Sequence, residues 1–478
     1  MPFCTLRGLL NFFETARKGK GKETVLKAPF LLGGGKNLNP TRLIALGFGL
    51  IILLGTLLLH LPVASRSGQW TSWLTCLFTA TSATCVTGLA QVDTFLHWAP
   101  LGQLVILVLI QLGGLGFVTL LTLISLALGR RIGLSQRLMM ASALNLSNTA
   151  GVVRVVRHAL MGTFLLESGG AVLLATRFIP RFGWGRGLWF SIFHSVSAFC
   201  NGGFDLMGEH TGPFSSLAGF QDDPVVLLTI MALIVLGGIG FFVWEDWLEH
   251  RSWKGLSLYS KLVLTITGGL ILFGWFFFLW AEWNNPQTLG TMSPGEKILN
   301  ALFQSVTLRT AGFATLDQGA MTDSTAVLSI LYMLVGGSSG STAGGIKTVT
   351  AGVLLLALWE SLRGEEQVVL RGRTIPARRV LDAMTLTLAV ALLFLAGSMA
   401  LSLIDGLPFL NAAYEVASAL GTVGLSMGAT PGLSPASSLL IVLFMYLGRV
   451  GILTFSIAFL TRRADNRLRY PTADIMIG

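Results

Sequence analysis

Four short polar segments of this chain carry residues whose backbone could hold a dehydrated cation. Each segment follows an apolar stretch and ends in a glycine that precedes a large apolar residue. The candidate ligand residues are Thr87, Gly88, Asn201, Gly202, Gly203, Thr310, Ala311, Gly312, Thr422, Val423 and Gly424. Glycine reaches positive φ without strain, so successive carbonyl groups of such a loop can face one side. Carbonyl oxygens arranged around an axis can replace the hydration shell of a monovalent cation.

The spacing of these segments indicates an internal repeat. Their glycines, at positions 88, 203, 312 and 424, lie 115, 109 and 112 residues apart, as expected for one structural unit repeated four times. The residues that precede the glycines differ among the segments. Side chains therefore cannot supply a fourfold ligand set, and the backbone must do so. With one shared glycine per loop, we expect one or two well-formed carbonyl rings and a short filter.

The composition is that of an integral membrane protein. Hydrophobic residues make up 53% and charged residues 12% of the 478 residues. Several apolar runs approach the roughly 20 residues that a helix needs to cross a hydrocarbon core. The first run begins near Ile44, after a long basic leader, which does not resemble a cleaved signal peptide. The four cysteines show no paired spacing, so we expect neither a disulfide framework nor a zinc site.

The apolar runs place each glycine loop within a unit of three helices. We expect an outer spanning helix, a re-entrant pore helix that ends at the glycine loop, and an inner spanning helix. The outer helices are predicted at 43–63, 159–179, 259–282 and 380–404, the pore helices at 70–84, 186–199, 294–308 and 409–420, and the inner helices at 101–129, 224–247, 325–362 and 436–461. The four units are 43–129, 130–247, 248–362 and 363–461, between a basic N-terminal segment (1–42) and a C-terminal tail (462–478). Two crossings per unit give all units one orientation, which predicts an all-α membrane fold with eight spanning helices around a pseudo-fourfold central pore.

The net charge of +10 fits a membrane topology better than a nucleic-acid partner. Of the 33 Lys and Arg residues, 25 fall in the segments 1–42, 130–158, 245–262, 360–379 and 461–478, which alternate with pairs of predicted crossings. By the positive-inside rule these segments and both termini face the cytoplasm. Anionic lipid headgroups are the expected partners of this charge, and basic segments this dispersed argue against nucleic acid.

A second glycine-rich mark recurs in the predicted inner helices. It covers residues 113–116, 237–240, 336–339 and 448–451. Small residues let membrane helices pack closely in general. Their recurrence at similar distances from the loops instead indicates that four inner helices line one cavity.

The third inner helix is expected to break into a gate. Nearly all residues from 336 to 348 are Gly, Ser, Thr or Ala, and a spanning helix does not continue easily through such a run. The predicted gate residues are Gly336, Gly337, Ser338, Ser339, Gly340, Ser341, Thr342, Ala343, Gly344, Gly345 and Lys347. Lys347 and Arg449 are cations at membrane depth, which are costly and usually functional. For Arg449 a salt bridge to a helix-end carboxylate is the alternative, and we interpret Glu167 as a structural, hydrogen-bonded acid.

Three carboxylates follow the glycine loops at short distances. Asp93, Asp205 and Asp317 lie five, two and five residues beyond their glycines. They could form an acidic outer mouth that concentrates cations. They could equally be ordinary solvated loop residues, and the sequence leaves both interpretations open.

These motifs resemble the filter segments of the Trk/Ktr/HKT potassium-transporter superfamily. The resemblance is carried by Thr87-Gly88-Leu89, Gly203-Phe204, Arg309-Thr310-Ala311-Gly312-Phe313, Thr422-Val423-Gly424-Leu425 and the segment 336–348. Eight spanning helices and the ending Arg469-Tyr470-Pro471 are similar to KtrB, the membrane subunit of bacterial Ktr systems.

The resemblance implies a potassium ion at the filter residues, because all four filter positions are glycine, with sodium as a second candidate ion. It further implies sodium-dependent uptake across the inner membrane of a bacterium, by a homodimer docked on a cytosolic ring of KtrA-like nucleotide-binding (RCK) subunits. An arginine at position 449 would lie beneath the filter and oppose fast conduction. No organic cofactor is implied for this chain.

The sequence supports three other functions less well. A sodium-permeable or poorly selective member of the superfamily is disfavoured, but not excluded, by the filter glycines. A TrkH-type member is disfavoured by the eight predicted spanning helices, which have no extra pair before the first unit. An integral membrane enzyme has little support, because the spans lack clustered carboxylates and a nucleophile–base pair. A carrier of organic solutes would more often show inverted repeats than the parallel ones predicted here.

Overall fold

The computed structural model describes residues 40–116, 152–365 and 367–451. The predictions for residues 1–39 and 452–478, and for the ends of the first and fourth inner helices, lie outside this part of the chain. The described α-helices are α1 (Pro40–His60), α2 (Trp73–Cys85), α3 (Thr94–His97), α4 (Pro100–Leu115), α5 (Val152–Phe182), α6 (Trp184–Phe199), α7 (Gly208–Thr211), α8 (Pro224–Gly238), α9 (Phe241–His250), α10 (Leu258–Glu282), α11 (Pro294–Thr307), α12 (Asp323–Leu334), α13 (Thr348–Leu362), α14 (Ala377–Asp405), α15 (Phe409–Gly421) and α16 (Pro435–Val450). A small antiparallel ribbon, β1 (Val369–Leu370) with β2 (Arg373–Thr374), joins α13 to α14.

Four helices are long and apolar enough to cross a membrane. These are α1, α5, α10 and α14, at the positions predicted for the outer helices. Their outward faces carry exposed large apolar side chains such as Leu53, Phe164, Phe276 and Leu388. Contiguous exposed apolar surface of this kind is unfavourable in water and favourable against lipid.

The predicted count of eight spanning helices goes beyond what the described residues provide. Four helices meet the length and hydropathy of a span, and a fifth span is counted when α8 and α9 are taken together. The other inner segments are apolar but shorter: α4, α12, α13 and α16.

The helices α2, α6, α11 and α15 lead into the glycine loops, within three residues of the predicted bounds. With 13 to 16 residues they are about 20 to 24 Å long, too short to cross a bilayer core. The start of α11 has the predicted capping box: the Ser293 side chain accepts from the Glu296 N–H, and the Glu296 carboxylate accepts from the Ser293 N–H.

The inner segments are interrupted more often than the sequence suggested. The break between α12 and α13 is confirmed, but the prediction of one continuous helix over 224–247 is wrong, because α8 and α9 meet at an angle of 91°. Gly240 permits the turn with a φ of +93°. The N–H of Phe241 donates to the Gly340 carbonyl at 3.0 Å instead of continuing the helix.

Each long helix packs closely against one loop helix and one inner helix. The contact is made at a glycine, because a Cβ there would lie within 3.3 Å of side chains from both neighbours. The contacts are Gly55 with Ala80 and Leu109, Gly170 with Ser195 and Leu233, Gly274 with Ser305 and Tyr332, and Gly397 with Val416 and Phe444. Four three-helix groups are therefore assembled by the same kind of contact, and each group places one glycine loop.

Candidate functional site

The four glycine loops meet in a closed ring. Their glycines all have positive φ: 98° at Gly88, 69° at Gly203, 82° at Gly312 and 99° at Gly424. A Cβ added at each would press on the next loop: at Gly88 it would lie 2.8 Å from the Gly202 oxygen, at Gly203 2.9 Å from the Ala311 oxygen, at Gly312 2.4 Å from the Val423 oxygen, and at Gly424 2.2 Å from the Thr87 oxygen. The fourth loop thus closes onto the first, and all eleven predicted filter residues lie in this ring.

Each loop contains a second left-handed residue, two positions before its glycine. These residues are Val86, Asn201, Thr310 and Thr422, with φ of 57°, 59°, 70° and 53°. Left-handed backbone costs a non-glycine residue roughly 1–2 kcal/mol. A cost paid four times at matching positions is typical of a functional site. The residue types Val and Thr do not predict a left-handed conformation, so the sequence did not indicate it at three of these positions.

The ring contains carbonyl oxygens that have no donor. None of the carbonyl oxygens of residues 86–88, 201–203, 310–312 and 422–424 accepts a hydrogen bond from a described residue. Nearly all of these residues are buried. More than nine in ten buried backbone groups in proteins are paired, so this set needs partners other than the described residues. Water or a cation can supply them.

The inner-segment glycines bring these helices under the ends of the loop helices. A Cβ at Gly113 would lie 2.0 Å from the Thr84 oxygen, one at Gly237 2.0 Å from the Phe199 oxygen, and one at Gly448 2.3 Å from the Leu420 oxygen. In the third group the neighbour is different: a Cβ at Gly336 would lie 2.1 Å from the Gly344 oxygen, in the segment that follows α12. Glycine is therefore required at this depth by direct contact with backbone.

The predicted gate residues form a loop, residues 335–347, between α12 and α13. The loop closes at its base, where the Gly336 N–H donates to the Ile346 oxygen at 2.8 Å. Three further hydrogen bonds tie it to the α8–α9 bend and to α10: Ser338 N–H to the Gly238 oxygen at 3.0 Å, Thr342 N–H to the Gly237 oxygen at 3.3 Å, and the Tyr259 hydroxyl to the Ser339 oxygen at 3.0 Å. On the opposite side, a Cβ at Gly344 would meet the Thr422 hydroxyl at 2.2 Å. The loop therefore lies between the second group and the fourth glycine loop.

Arg449 links this loop to α4. Its guanidinium donates to the carbonyl oxygens of Thr342 and Gly113, and to that of Gly114 at 3.2 Å. None of the salt bridges among the described residues includes Arg449, so the alternative of a carboxylate partner is not supported there. The Lys347 ammonium donates to the Ala343 oxygen at 2.8 Å, within the loop itself.

The acidic residues near the loops are engaged in hydrogen bonds. Glu167 accepts from the Gln111 amide at 3.3 Å and from the Cys200 thiol at 3.7 Å, as expected of a structural acid. Asp93, Asp205 and Asp317 each accept from a backbone N–H two residues on, at 2.9 Å. These three carboxylates stabilise turns in the loops that follow the glycines.

Two features of the site were missed at the level of sequence. The Asn201 amide donates to the Thr310 hydroxyl at 3.2 Å, which joins the second and third loops. Glu415 in α15 is fully buried and accepts from the Ser426 hydroxyl at 2.5 Å and the Thr430 hydroxyl at 2.6 Å. A lone acid within a predicted membrane helix is the signal that could have found it.

The amino-acid sequence is similar to those of known cation transport proteins. The profile of the family described as TrkH, "Cation transport protein", matches residues 49–468. The chain is 42% identical to the potassium/sodium uptake protein NtpJ of Enterococcus hirae, over 93% of this chain and 98% of that protein. It is 40% identical to the Ktr system potassium uptake protein B of Bacillus subtilis, over 92% of this chain and 97% of that one.

The fold has a counterpart among crystal structures. The potassium transporter TrkH from Vibrio parahaemolyticus superposes with a TM-score of 0.69 at 20% identity, covering 91% of this chain and 86% of that chain. With the profile match and relatives at 40% and 42% identity, the conclusion follows: the chain belongs to the TrkH family of cation transport proteins.

Proposed function

We propose that this protein takes up potassium ions through the ring of four glycine loops. The observation that carries the proposal is the set of carbonyl oxygens, in mostly buried residues, that accept no hydrogen bond from any described residue: those of residues 86–88, 201–203, 310–312 and 422–424. Oxygens fixed around an axis can take the place of the water that a potassium ion loses on entry. In this proposal the four three-helix groups are repeats around a pseudo-fourfold axis, and the inner segments complete eight crossings of a bacterial inner membrane.

The electrostatics of the ring support a cation. The helices α2, α6, α11 and α15 all end at the loops, so the partly negative ends of their dipoles point toward it. Residues 86–88, 201–203, 310–312 and 422–424 include no charged side chain. An ion held by dipoles alone can leave again, as transport requires.

Selectivity for potassium is expected from the rigidity of the ring. Each glycine is wedged against the backbone of the next loop, so the loops cannot easily contract around a smaller ion. Three unpaired carbonyls per loop would give up to three layers of ligands. Three layers are more than the one or two carbonyl rings expected from the glycines alone. The additional layer comes from the carbonyls of the left-handed residues at 86, 201, 310 and 422.

The loop 335–347 serves in this proposal as a gate below the ring, and Arg449 as an electrostatic barrier. The guanidinium holds the loop by its Thr342 carbonyl and holds α4 by its Gly113 carbonyl. Opening requires these bonds and those to Gly237 and Gly238 to break together. Because these groups lie on all four repeats, a movement of the inner segments can control them.

Regulation is proposed by analogy with the relatives. Three of them carry the name of a Ktr system, in which proteins B and D are components. We expect this chain to form a homodimer on a cytosolic ring of nucleotide-binding, KtrA-like subunits, with sodium-dependent uptake and no enzymatic activity of its own. Co-purification with such a subunit, and the response of uptake to nucleotide and to sodium, test this part separately.

The decisive experiment is rubidium uptake into liposomes that hold the purified protein. Potassium should compete with rubidium at far lower concentration than sodium. Equal competition by sodium would instead support the alternative, a sodium-permeable transporter of the same family, which the name of the Enterococcus relative favours. Absence of any uptake, with and without the cytosolic subunit, would refute the proposal.

A further inference from the structure

Four hydroxyl side chains stand behind the glycine ring, one in the last turns of each loop helix. They belong to Ser82, Ser197, Thr307 and Ser418, and all four are fully buried. Each is also close to its loop through the backbone. The backbone carbonyl oxygens of Ser82 and Ser418 accept from the N–H groups of Thr87 and Val423, both at 2.8 Å. The backbone carbonyl oxygens of Ser197 and Thr307 accept from the N–H groups of Gly202 at 2.6 Å and Ala311 at 2.9 Å.

These hydroxyls do not make the bond that serine and threonine usually make inside a helix. The usual partner is the carbonyl four residues earlier. Ser191, which lies on the same helix as Ser197, does this and donates to the Gly187 oxygen at 2.7 Å. The four hydroxyls behind the ring reach forward into the loops instead.

The four hydroxyls fall into two pairs with opposite roles. In the first and fourth repeats they accept: the N–H of Gly88 donates to Ser82 at 3.1 Å, and the N–H of Gly424 donates to Ser418 at 3.0 Å. In the second and third repeats they donate. Ser197 donates to the Phe204 oxygen at 2.8 Å, and Thr307 donates to the Phe313 oxygen at 2.6 Å.

This difference changes which oxygens an ion can use just outside the glycines. Phe204 and Phe313 follow the glycines of loops two and three, and their carbonyls point back to the hydroxyls behind them. Leu89 and Leu425 hold the equivalent positions in loops one and four, and neither carbonyl accepts a hydrogen bond within the described ranges. Loops one and four are neighbours, because Gly424 lies against the Thr87 oxygen.

We infer that the outermost ion site of this filter is two-sided, with ligands from Leu89 and Leu425 only, and that Ser197 and Thr307 are the positioning residues that make it so. The inference rests on the proposed function and deepens it. An entering potassium ion would exchange part of its water for two adjacent carbonyls and keep water on the side of loops two and three. The full ring of ligands begins one level deeper, at the glycines.

The test compares two removals of a donor with two removals of an acceptor. Ser197→Ala and Thr307→Val release the Phe204 and Phe313 carbonyls, which alters the ligand set. The ratio of sodium to potassium concentrations that halve rubidium uptake should fall by about fivefold in each, the effect of one hydrogen bond. Ser82→Ala and Ser418→Ala free an N–H that is no ion ligand, so any slowing of uptake should be equal for all ions and the ratio should stay within twofold.

Controls separate folding from selectivity. Ser197→Thr and Thr307→Ser keep the hydroxyl and should keep the ratio of the unmodified protein, and Ser191→Ala should leave uptake unchanged. A ratio that is unchanged in Ser197→Ala and Thr307→Val, or that falls equally in all four removals, would overturn the inference while a selective unmodified protein still upholds the proposed function. An unmodified protein without potassium preference would instead refute the proposed function.

Discussion

Replacing Gly88 by serine tests whether the ring of glycines sets ion selectivity. The new Cβ would lie 2.8 Å from the Gly202 oxygen and 3.0 Å from the Gly203 Cα, and the backbone would keep a φ of +98°. Strain of this kind costs about 1–3 kcal/mol. The structure can relieve it only by moving the first two loops apart, which displaces carbonyl ligands. Because about 1.4 kcal/mol corresponds to a tenfold change, we expect the preference for potassium over sodium to fall about tenfold.

The assay is competition of rubidium uptake by potassium and sodium in liposomes that hold the purified variant. Gly49→Ser is the matched control, because Gly49 lies in α1 and a Cβ there would have no neighbour within 4 Å.

The loss of potassium preference should also differ among serine substitutions at the four ring glycines. Gly312 and Gly424, where a Cβ would approach carbonyl oxygens at 2.4 and 2.2 Å, should tolerate serine less well than Gly88 and Gly203. Competition in Gly88→Ser that matches Gly49→Ser would refute the reasoning.

Three further predictions concern the gate, the barrier and the support of the fourth loop. Deleting residues 340–345 removes the Thr342 carbonyl that Arg449 holds, so rubidium uptake without a cytosolic subunit should become faster; a variant that reconstitutes normally yet is no faster would contradict the gate. Arg449→Gln keeps a donor but removes the charge, and the initial uptake rate should rise; an unchanged or lower rate in correctly folded protein would contradict a barrier. Glu415→Gln replaces one accepting oxygen by an N–H₂ group, which cannot accept the bond that the Ser426 or Thr430 hydroxyl now donates, and should destabilise the protein by about 1–3 kcal/mol, seen as a lower Tm. The exposed Glu209→Gln should shift the Tm far less, and equal shifts in both would count against that role.

The sequence indicated the position of each loop because membrane burial restricts backbone. Non-helical backbone at membrane depth must be buried in protein or line a cavity, so a polar glycine segment between apolar runs is informative. The same reasoning located α2, α6, α11 and α15, and it located the break in the third inner segment. It failed at the α8–α9 bend. There the turn depends on the Gly340 carbonyl, about 100 residues away in the chain, which no local pattern reveals.

The ligand geometry was accessible in part. The glycines at 88, 203, 312 and 424 could be identified by their regular spacing. Each has a φ between +69° and +99° beside a neighbouring backbone, which requires glycine. The left-handed Val86 and Thr422 could not, because their conformation is imposed by the helix end before them and by the loop beside them. Arg449 illustrates the same limit. Its charge at membrane depth marked it as important, but only the fold supplied its acceptors at 113, 114 and 342.

By itself, the amino-acid sequence indicated a membrane protein and the positions of four glycine loops, because hydropathy and spacing are local properties of the chain. Only the tertiary structure decided that the loops close into one ring, that no described residue donates to their carbonyls, and that two hydroxyls donate where two accept. The ring depends on backbone groups that meet across more than 100 residues of chain, and packing sets such contacts. The hydroxyl roles depend on hydrogen bonds over six or seven residues, whose direction is set by the conformation of each folded loop.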